Sequence, residues 1–251
     1  LIDAWREKCA HWKKAFPTCE ETHKHGERID MYWFMQALSD ALPNNATIVS
    51  DAGNSYYITT SGVHVNPSKR QRSITSAAQA EMGYTLPATI GASFATYELV
   101  VGVSGDGSVM MNIQDMATLA FHNRNIKLFI MNNNGYSSIR QLQNSSFRGR
   151  LIGCDPNSGL GMPNFENVIK AFGLQYARLE GSENLPLKIA DVLAMDGCVV
   201  CEVMCETEQE FLMVTTAMNS KRRMVMRPLE DQAPFLDREV FNSEMIIEPL
   251  D

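Results

Sequence analysis

The sequence predicts an α/β protein in which one parallel sheet lies between helices on both faces, a three-layer arrangement. Three observations predict it. From about residue 30 onward, strand and helix signals alternate. The strand candidates are unbroken apolar runs, as burial on both faces requires. Turns rich in glycine and asparagine follow directly on two of those runs.

The elements follow in order. "LIDAWREKCAHWKKAFP" is a charged amphipathic helix with no apolar partner of its own. It reads as a linker entering a domain, so residues 1–29 are expected to connect from a domain upstream. "ERIDMYWFMQALSDAL" places Met31, Phe34, Met35 and Leu38 at helical spacing. "NNATIVSDAG" gives a short strand, 46–50, ending in a glycine turn. "QAEMGYTLPATIGASFATY" carries small residues throughout and an early proline, as a tightly packed helix would. "ELVVGVSGDG" is a buried strand, "NIQDMATLAFHN" a helix, and "IKLFIMNNN" another buried strand. "NFENVIKAFG" is a helix with a glycine stop, followed by "LQYARLE". "ENLPLKIADVLAM" is a helix and "CVVCEVM" a last strand. The domain is thus expected to span 30–212. Residues 213–251 lack clean periodicity and are expected to form a tail with a short helix that packs on the domain.

Composition narrows the function. The chain has 251 residues, 45% hydrophobic and 20% charged, enough for a sizeable core. A formal charge of -7 argues against a nucleic-acid binder or a membrane-surface protein. The one basic cluster, Lys221, Arg222, Arg223 and Arg227, is too short for a polynucleotide track. No apolar run reaches the ~18 residues of a membrane span. No signal-peptide pattern precedes the six cysteines, so free thiols and a cytoplasmic setting are expected. Cys198, Cys201 and Cys205 fall in an apolar strand, and no second set with zinc spacing accompanies them.

The chemistry concentrates at two strand ends. Gly105-Asp106-Gly107 follows "LVVGVS", and Asn132-Asn133-Asn134 follows "IKLFIM". Taken alone, a Gly-Asp-Gly turn is ordinary. The 24 residues from Ser108 to Met131 that separate the two turns fit one helix plus one strand, which makes the turns neighbours on one sheet edge. Parallel sheets bind ligands at that carboxyl edge. The Asp106 carboxylate and the Asn133 amide carbonyl are hard oxygen donors suited to Mg²⁺ or Ca²⁺. Glycines flanking Asp106 let a phosphate approach the backbone. A helix expected to start near Asn112 would aim its N-terminus at the same place. The physical reading is a metal-bridged diphosphate.

Gly-Asp-Gly, about 25 residues, then Asn-Asn resembles the thiamine diphosphate signature of acetolactate synthase, benzoylformate decarboxylase and pyruvate oxidase. "GDGSVMMNIQDMATL", "EMGYTLPATIGA", "SDAGNSYY", "RPLEDQAPFL" and the late "MII" resemble ordered motifs of acetolactate synthase, and "AWREKCAHWKKAFP" resembles the connector from that family's central domain. The resemblance implies a thiamine diphosphate-binding fold. It implies Asp106 and Asn133 as Mg²⁺ side-chain ligands and Gly135 as a backbone ligand. Gly105, Gly107 and Ser108 would approach the diphosphate, with Asn54 and Ser55 reaching it from the other side. Ala80 and Met82 would hold the aminopyrimidine through backbone groups, and the Met82 side chain would prop the bent cofactor.

The implied reaction is decarboxylation of a 2-oxo acid, with or without ligation of the product to a second carbonyl. The family's proton-handling glutamate lies on a pyrimidine-binding domain without a counterpart here, so no catalytic base is assigned in this chain. His122 reads as an exposed or packed histidine. A pyrimidine-binding domain or subunit and self-association are expected as partners. Any FAD requirement stays open, because that family carries FAD mainly on its central domain. Departures from the synthase pattern occur at Gln141-Leu142-Gln143, Ala80-Glu81 and Asn54-Ser55, so a standard acetolactate synthase substrate preference does not follow. Two other readings stand beside the first: a separate subunit of a two-subunit 2-oxo acid decarboxylase, and a non-catalytic binding domain of the same fold.

Overall fold

The structure, a computed structural model, describes residues 2–209, 216–218, 223–232 and 235–248. They fall in two compact units, one running to Gln209 and the other starting at Glu210.

In the first unit the elements are α1 (Ile2–Ala15), α2 (Met31–Ala41), β1 (Thr47–Ser50), α3 (Gly53–Gly62), β2 (Arg72–Thr75), α4 (Thr85–Ala95), β3 (Val100–Gly105), α5 (Asp106–Val109), α6 (Met116–His122), β4 (Ile126–Asn132), α7 (Ser137–Ser146), α8 (Phe165–Ala171), β5 (Gln175–Leu179), α9 (Leu185–Ala194) and β6 (Val199–Met204). The six strands form one sheet in the order β2-β1-β3-β4-β6-β5, and every pairing is parallel. The apolar runs predicted this. β1 is buried at every position, and β3, β4 and β6 at every position but the last.

Strand alternation divides the core between two faces. On one face Leu86 of α4, Met116 and Leu119 of α6, and Phe165 and Ile169 of α8 share a cluster with Val100, Leu128, Ile130 and Val200. On the other, Phe34 of α2 meets Phe129 of β4 edge to face at 5.2 Å, and α3 and α9 lie beside α2. Asp30 starts α2 by accepting the backbone N–H groups of Tyr32 and Trp33.

The small residues of α4 have a specific use. A Cβ on Gly102 of β3 would lie 2.7 Å from Thr89 Oγ1, 2.8 Å from Leu128 Cδ1 and 3.1 Å from Thr85 Cγ2. The helix therefore sits closer to β3 than any larger residue permits. Thr85 Oγ1 donates to the Val103 carbonyl at 3.2 Å, fixing its register on the strand.

Three elements of the first unit were not predicted. β2 is an edge strand of four residues, two of them exposed, without an apolar run. α3 buries Asn54, Ser55, Ile58, Thr59 and Gly62, so its inward face is mostly polar and gives no hydrophobic period. α7 buries only Ser137 and Arg140. The helix expected near Asn112 begins earlier: α5 starts at Asp106, and 3-10 turns carry the chain through Asn112, at φ -133, to α6. "CVVCEVM" is also not the last strand. The second unit contains β7 (Thr216–Met218) paired antiparallel with β8 (Met224–Met226), and a helix α10 (Arg238–Glu244) capped by Asp237. Of the basic cluster, Lys221 and Arg222 lie outside the described residues, and Arg227 pairs with Asp231. Among the described residues no helix is long and apolar enough to cross a membrane, and no group of three or more His, Cys, Asp and Glu is arranged to hold a metal. All six cysteines are free.

One buried carboxylate joins the elements that carry the strand ends. Asp51, immediately after β1, is fully buried. Its Oδ1 accepts from the Ala52 N–H at 2.7 Å and lies 3.4 Å from Ser55 Oγ. Its Oδ2 accepts from the Thr85 N–H at 3.2 Å, Ser104 Oγ at 3.2 Å and Ser108 Oγ at 2.5 Å. These donors come from Ala52 at the N-cap of α3 and from α4, β3 and α5, so a single carboxylate ties four elements to β1. Replacing it leaves buried donors unmatched.

Two stability predictions result. Gly102→Ala should lower the unfolding free energy by about 1–3 kcal/mol through overpacking under α4; an unchanged denaturation midpoint would contradict the close approach. Asp51→Asn keeps the volume but removes the charge and one acceptor. It should destabilise by about 3 kcal/mol, and urea unfolding with a loss below roughly 0.5 kcal/mol would show that the four donors are satisfied without it.

Candidate functional site

The parallel register brings the carboxyl ends of β1, β3 and β4 together. Ser50 pairs with Val103, and Gly105 with Met131. The turns after these strands border a cavity of about 560 Å³. All ten residues singled out from the sequence line it: Asn54, Ser55, Ala80, Met82, Gly105, Asp106, Gly107, Ser108, Asn133 and Gly135. His122 does not. It is exposed and packs edge-on against Phe94 at 4.9 Å.

Asp106 connects the two turns. Its Oδ1 accepts the Gly107 N–H at 2.7 Å, and its Oδ2 accepts the Gly135 N–H at 2.9 Å. Burial pushes its carboxyl up to about 6, against the pull of the backbone N–H groups of Gly135, Gly107 and Asn134 and of the nearby Arg140. A buried carboxylate held by neutral donors and short of a full counter-charge suits a cation, which would take the place of the proton.

The two asparagines of the second turn do different work. Asn132 donates through Nδ2 to Glu202 at 2.6 Å and accepts the Asn134 N–H at 3.0 Å, so both ends of its amide are engaged. Asn133 is buried and donates through Nδ2 to Ser137 Oγ at 3.0 Å, while its Oδ1 has no partner. An unpaired buried acceptor costs free energy unless a ligand completes it. In the same cavity lining the buried Asn54 has the opposite polarity: Oδ1 accepts from Ser138 Oγ at 3.0 Å and Nδ2 is unpartnered. An orphan acceptor, a carboxylate and an orphan donor lining one cavity fit a cation bound to an anion.

Other atoms are committed internally. Ser108 Oγ serves Asp51 and accepts the Gly83 N–H at 2.8 Å, while Asn112 Nδ2 donates to the Gly83 carbonyl at 2.8 Å. This clamp on Gly83, at φ +86, docks the segment carrying Ala80 and Met82 onto α5. Ala80 gives its N–H to the Ala77 carbonyl at 3.2 Å. Met82 stays 39% exposed, an apolar surface at the cavity available to a ring. Ser55 Oγ donates to the Ala52 carbonyl at 2.7 Å. The Gly135 carbonyl accepts from Ser137 N–H at 3.1 Å and keeps a second lone pair. Gly107 lies against the Tyr136 ring, and a Cβ there would overlap the ring unless the tyrosine shifted.

The sequence did not point to Asp51, although it directly follows a predicted strand. Nor did it point to Tyr136 and the apolar lining of Met31, Tyr57, Met111, Met131 and Ile139. Arg140 was also missed. It is buried and holds the second turn from below, donating to the Asn133 carbonyl at 3.2 Å, to the Thr207 carbonyl and to Glu208 at 2.9 Å.

Comparison with known proteins bears on this geometry. Residues 51–203 match the family described as thiamine pyrophosphate enzyme, C-terminal TPP binding domain; thiamine pyrophosphate is thiamine diphosphate. The chain is 30% identical over 212 residues to the acetolactate synthase large subunit of Porphyra purpurea, covering 83% of this chain and 34% of that protein. It is 27% identical over 208 residues to the acetolactate synthase isozyme 1 large subunit of Escherichia coli (strain K12), covering 82% and 36%. It is 28% identical over 213 residues to acetolactate synthase 3, chloroplastic, of Brassica napus, covering 83% and 32%. The chain spans about a third of the length of these curated relatives. The match begins at Asp51 and ends at Val203 within β6, enclosing both strand-end turns and the cavity between them, and the chain therefore belongs to the thiamine pyrophosphate enzymes as their C-terminal TPP-binding domain.

Proposed function

We propose that this chain forms the diphosphate-binding half of a thiamine diphosphate- and Mg²⁺-dependent enzyme acting on a 2-oxo acid, by decarboxylation with or without carboligation. One observation carries the reading: the orphan Asn133 Oδ1, the buried Asp106 carboxylate and the orphan Asn54 Nδ2 border one cavity. Asp106, Asn133 and the Gly135 carbonyl would hold Mg²⁺ through oxygen, leaving its other positions to phosphate oxygens and water. Asn54 would donate to the diphosphate. Met82 would support the cofactor, and the methionine-rich lining would keep bulk water from it. When bound, thiamine diphosphate supplies a carbanion and an electron sink.

Proton handling falls to residues elsewhere. Among the described residues that line the cavity, Asp106 is the single carboxylate, and no histidine, lysine or arginine is present. A carboxylate engaged with a metal is a poor proton carrier. We therefore assign that role to a pyrimidine-binding domain or subunit completing the site, with self-association as its setting. The acetolactate synthase relatives favour this enzyme reading over a non-catalytic domain.

The test is a titration of thiamine diphosphate with Mg²⁺, followed by calorimetry. Asp106→Ala should weaken cofactor binding on the order of 100-fold or more, since outer-shell partners of metal sites alone carry 10–100-fold. Asn54→Ala, which removes one hydrogen bond to a charged oxygen, should cost roughly tenfold. Undiminished affinity in the Asp106 variant, with its fold intact by circular dichroism, would overturn the assignment.

A further inference from the structure

Glu202 is a charged residue that the diphosphate site does not touch, and it is 5% exposed in the middle of β6. Its Oε1 accepts from Asn132 Nδ2 at 2.6 Å and its Oε2 from the Tyr176 hydroxyl at 2.5 Å. Arg178 Nη1 lies 3.9 Å away and is 43% exposed. Burial, reinforced by the adjacent Glu202 carboxylate, holds the Tyr176 phenol well above its usual range, so the tyrosine stays a donor.

The consequence runs through Asn132. With Nδ2 committed to Glu202, the amide can present only Oδ1 to the turn, and Oδ1 accepts the Asn134 N–H at 3.0 Å. Asn134 sits in the left-handed region at φ 63, which asparagine adopts more readily than other non-glycine residues, and the Asn132 contact braces it there. The next residue, Gly135 at φ +123, then directs its N–H at Asp106 Oδ2. Were the Asn132 amide turned over, its NH₂ group would face the Asn134 N–H and the turn would lose its brace.

We propose that Glu202 is a positioning residue for the metal turn: by fixing the orientation of the Asn132 amide, it holds residues 133–135 where the Asn133 side chain and Gly135 carbonyl face the cation beside Asp106. The proposal rests on the Mg²⁺-diphosphate reading. It adds that the two asparagines divide the labour, Asn132 shaping the turn and Asn133 meeting the metal, and that the support comes from the neighbouring strand β6.

A role swap tests it in the intact protein. Asn132→Asp sets a second carboxylate against Glu202. It should raise the Mg²⁺ concentration for half-maximal thiamine diphosphate binding roughly 10-fold to 100-fold, the range for outer-shell partners of a metal site. The double variant Asn132→Asp/Glu202→Gln exchanges donor and acceptor at the same contact and should recover most of that loss. A second readout needs neither metal nor cofactor. Amide hydrogen exchange at Asn134 and Gly135 should accelerate in Asn132→Asp and return toward the unaltered rate in the double variant. If Asn132→Asp lowers the melting temperature but leaves Mg²⁺ half-saturation and both amides unchanged, Glu202 is merely structural and the proposal falls. If the double variant is as impaired as the single one, the contact is not the cause and the proposal falls as well. If the unaltered protein binds no cofactor with Mg²⁺, the underlying reading fails and takes this one with it.

Discussion

The bond from the Gly135 N–H to the Asp106 carboxylate is the constraint on which the site depends. It spans the tips of two adjacent parallel strands, 2.9 Å between heavy atoms. It exists because Gly105 and Met131 are in register, so the residues that follow emerge side by side. A one-residue slip would turn the alternating side chains to opposite faces. Asp106 would then leave the cavity and Asn133 would no longer share it with a carboxylate. The long apolar strands that enforce the register thus also enforce the chemistry.

Around that bond the chain keeps its polar groups either fully engaged or pointedly unengaged. Asp51, Ser104, Ser108 and Thr85 satisfy one another beneath the cavity floor. Gly83 is clamped at both its N–H and its carbonyl. Arg140 and Glu202 brace the second turn from below and from the side. Of the seven buried side-chain atoms without a partner among the described residues, Asn54 Nδ2 and Asn133 Oδ1 are the two whose residues line the cavity, and there ligand atoms belong. A site with fixed surroundings and open contact atoms is preorganised, so little ordering free energy is lost on binding.

The central strands β1, β3, β4 and β6 were legible because burial on both faces writes itself as continuous apolar runs. The two turns were legible because their spacing admits one helix and one strand. The polar inward face of α3 was hidden, since Asn54, Ser55 and Thr59 carry no hydrophobic period while packing inward as tightly as Ile58. α7 was hidden for the same reason, with Ser137 and Arg140 as its buried positions. The gathering of ten sequence-selected residues around one cavity followed from topology. What each atom does there did not. For Ser55 and Ser108, expected to approach the diphosphate, the sequence did not reveal that their hydroxyls engage Ala52, Asp51 and Gly83. The difference between Asn132 and Asn133 depends on Glu202, seventy residues along the chain, which local spacing does not reveal.

The most direct test of the central claim is a crystal structure of the protein loaded with thiamine diphosphate and Mg²⁺. The account predicts one cation at about 2.0–2.1 Å from an Asp106 carboxylate oxygen and from Asn133 Oδ1, bridging to the diphosphate. A cation coordinated without either side chain, or a diphosphate bound away from the ends of β3 and β4, would contradict it.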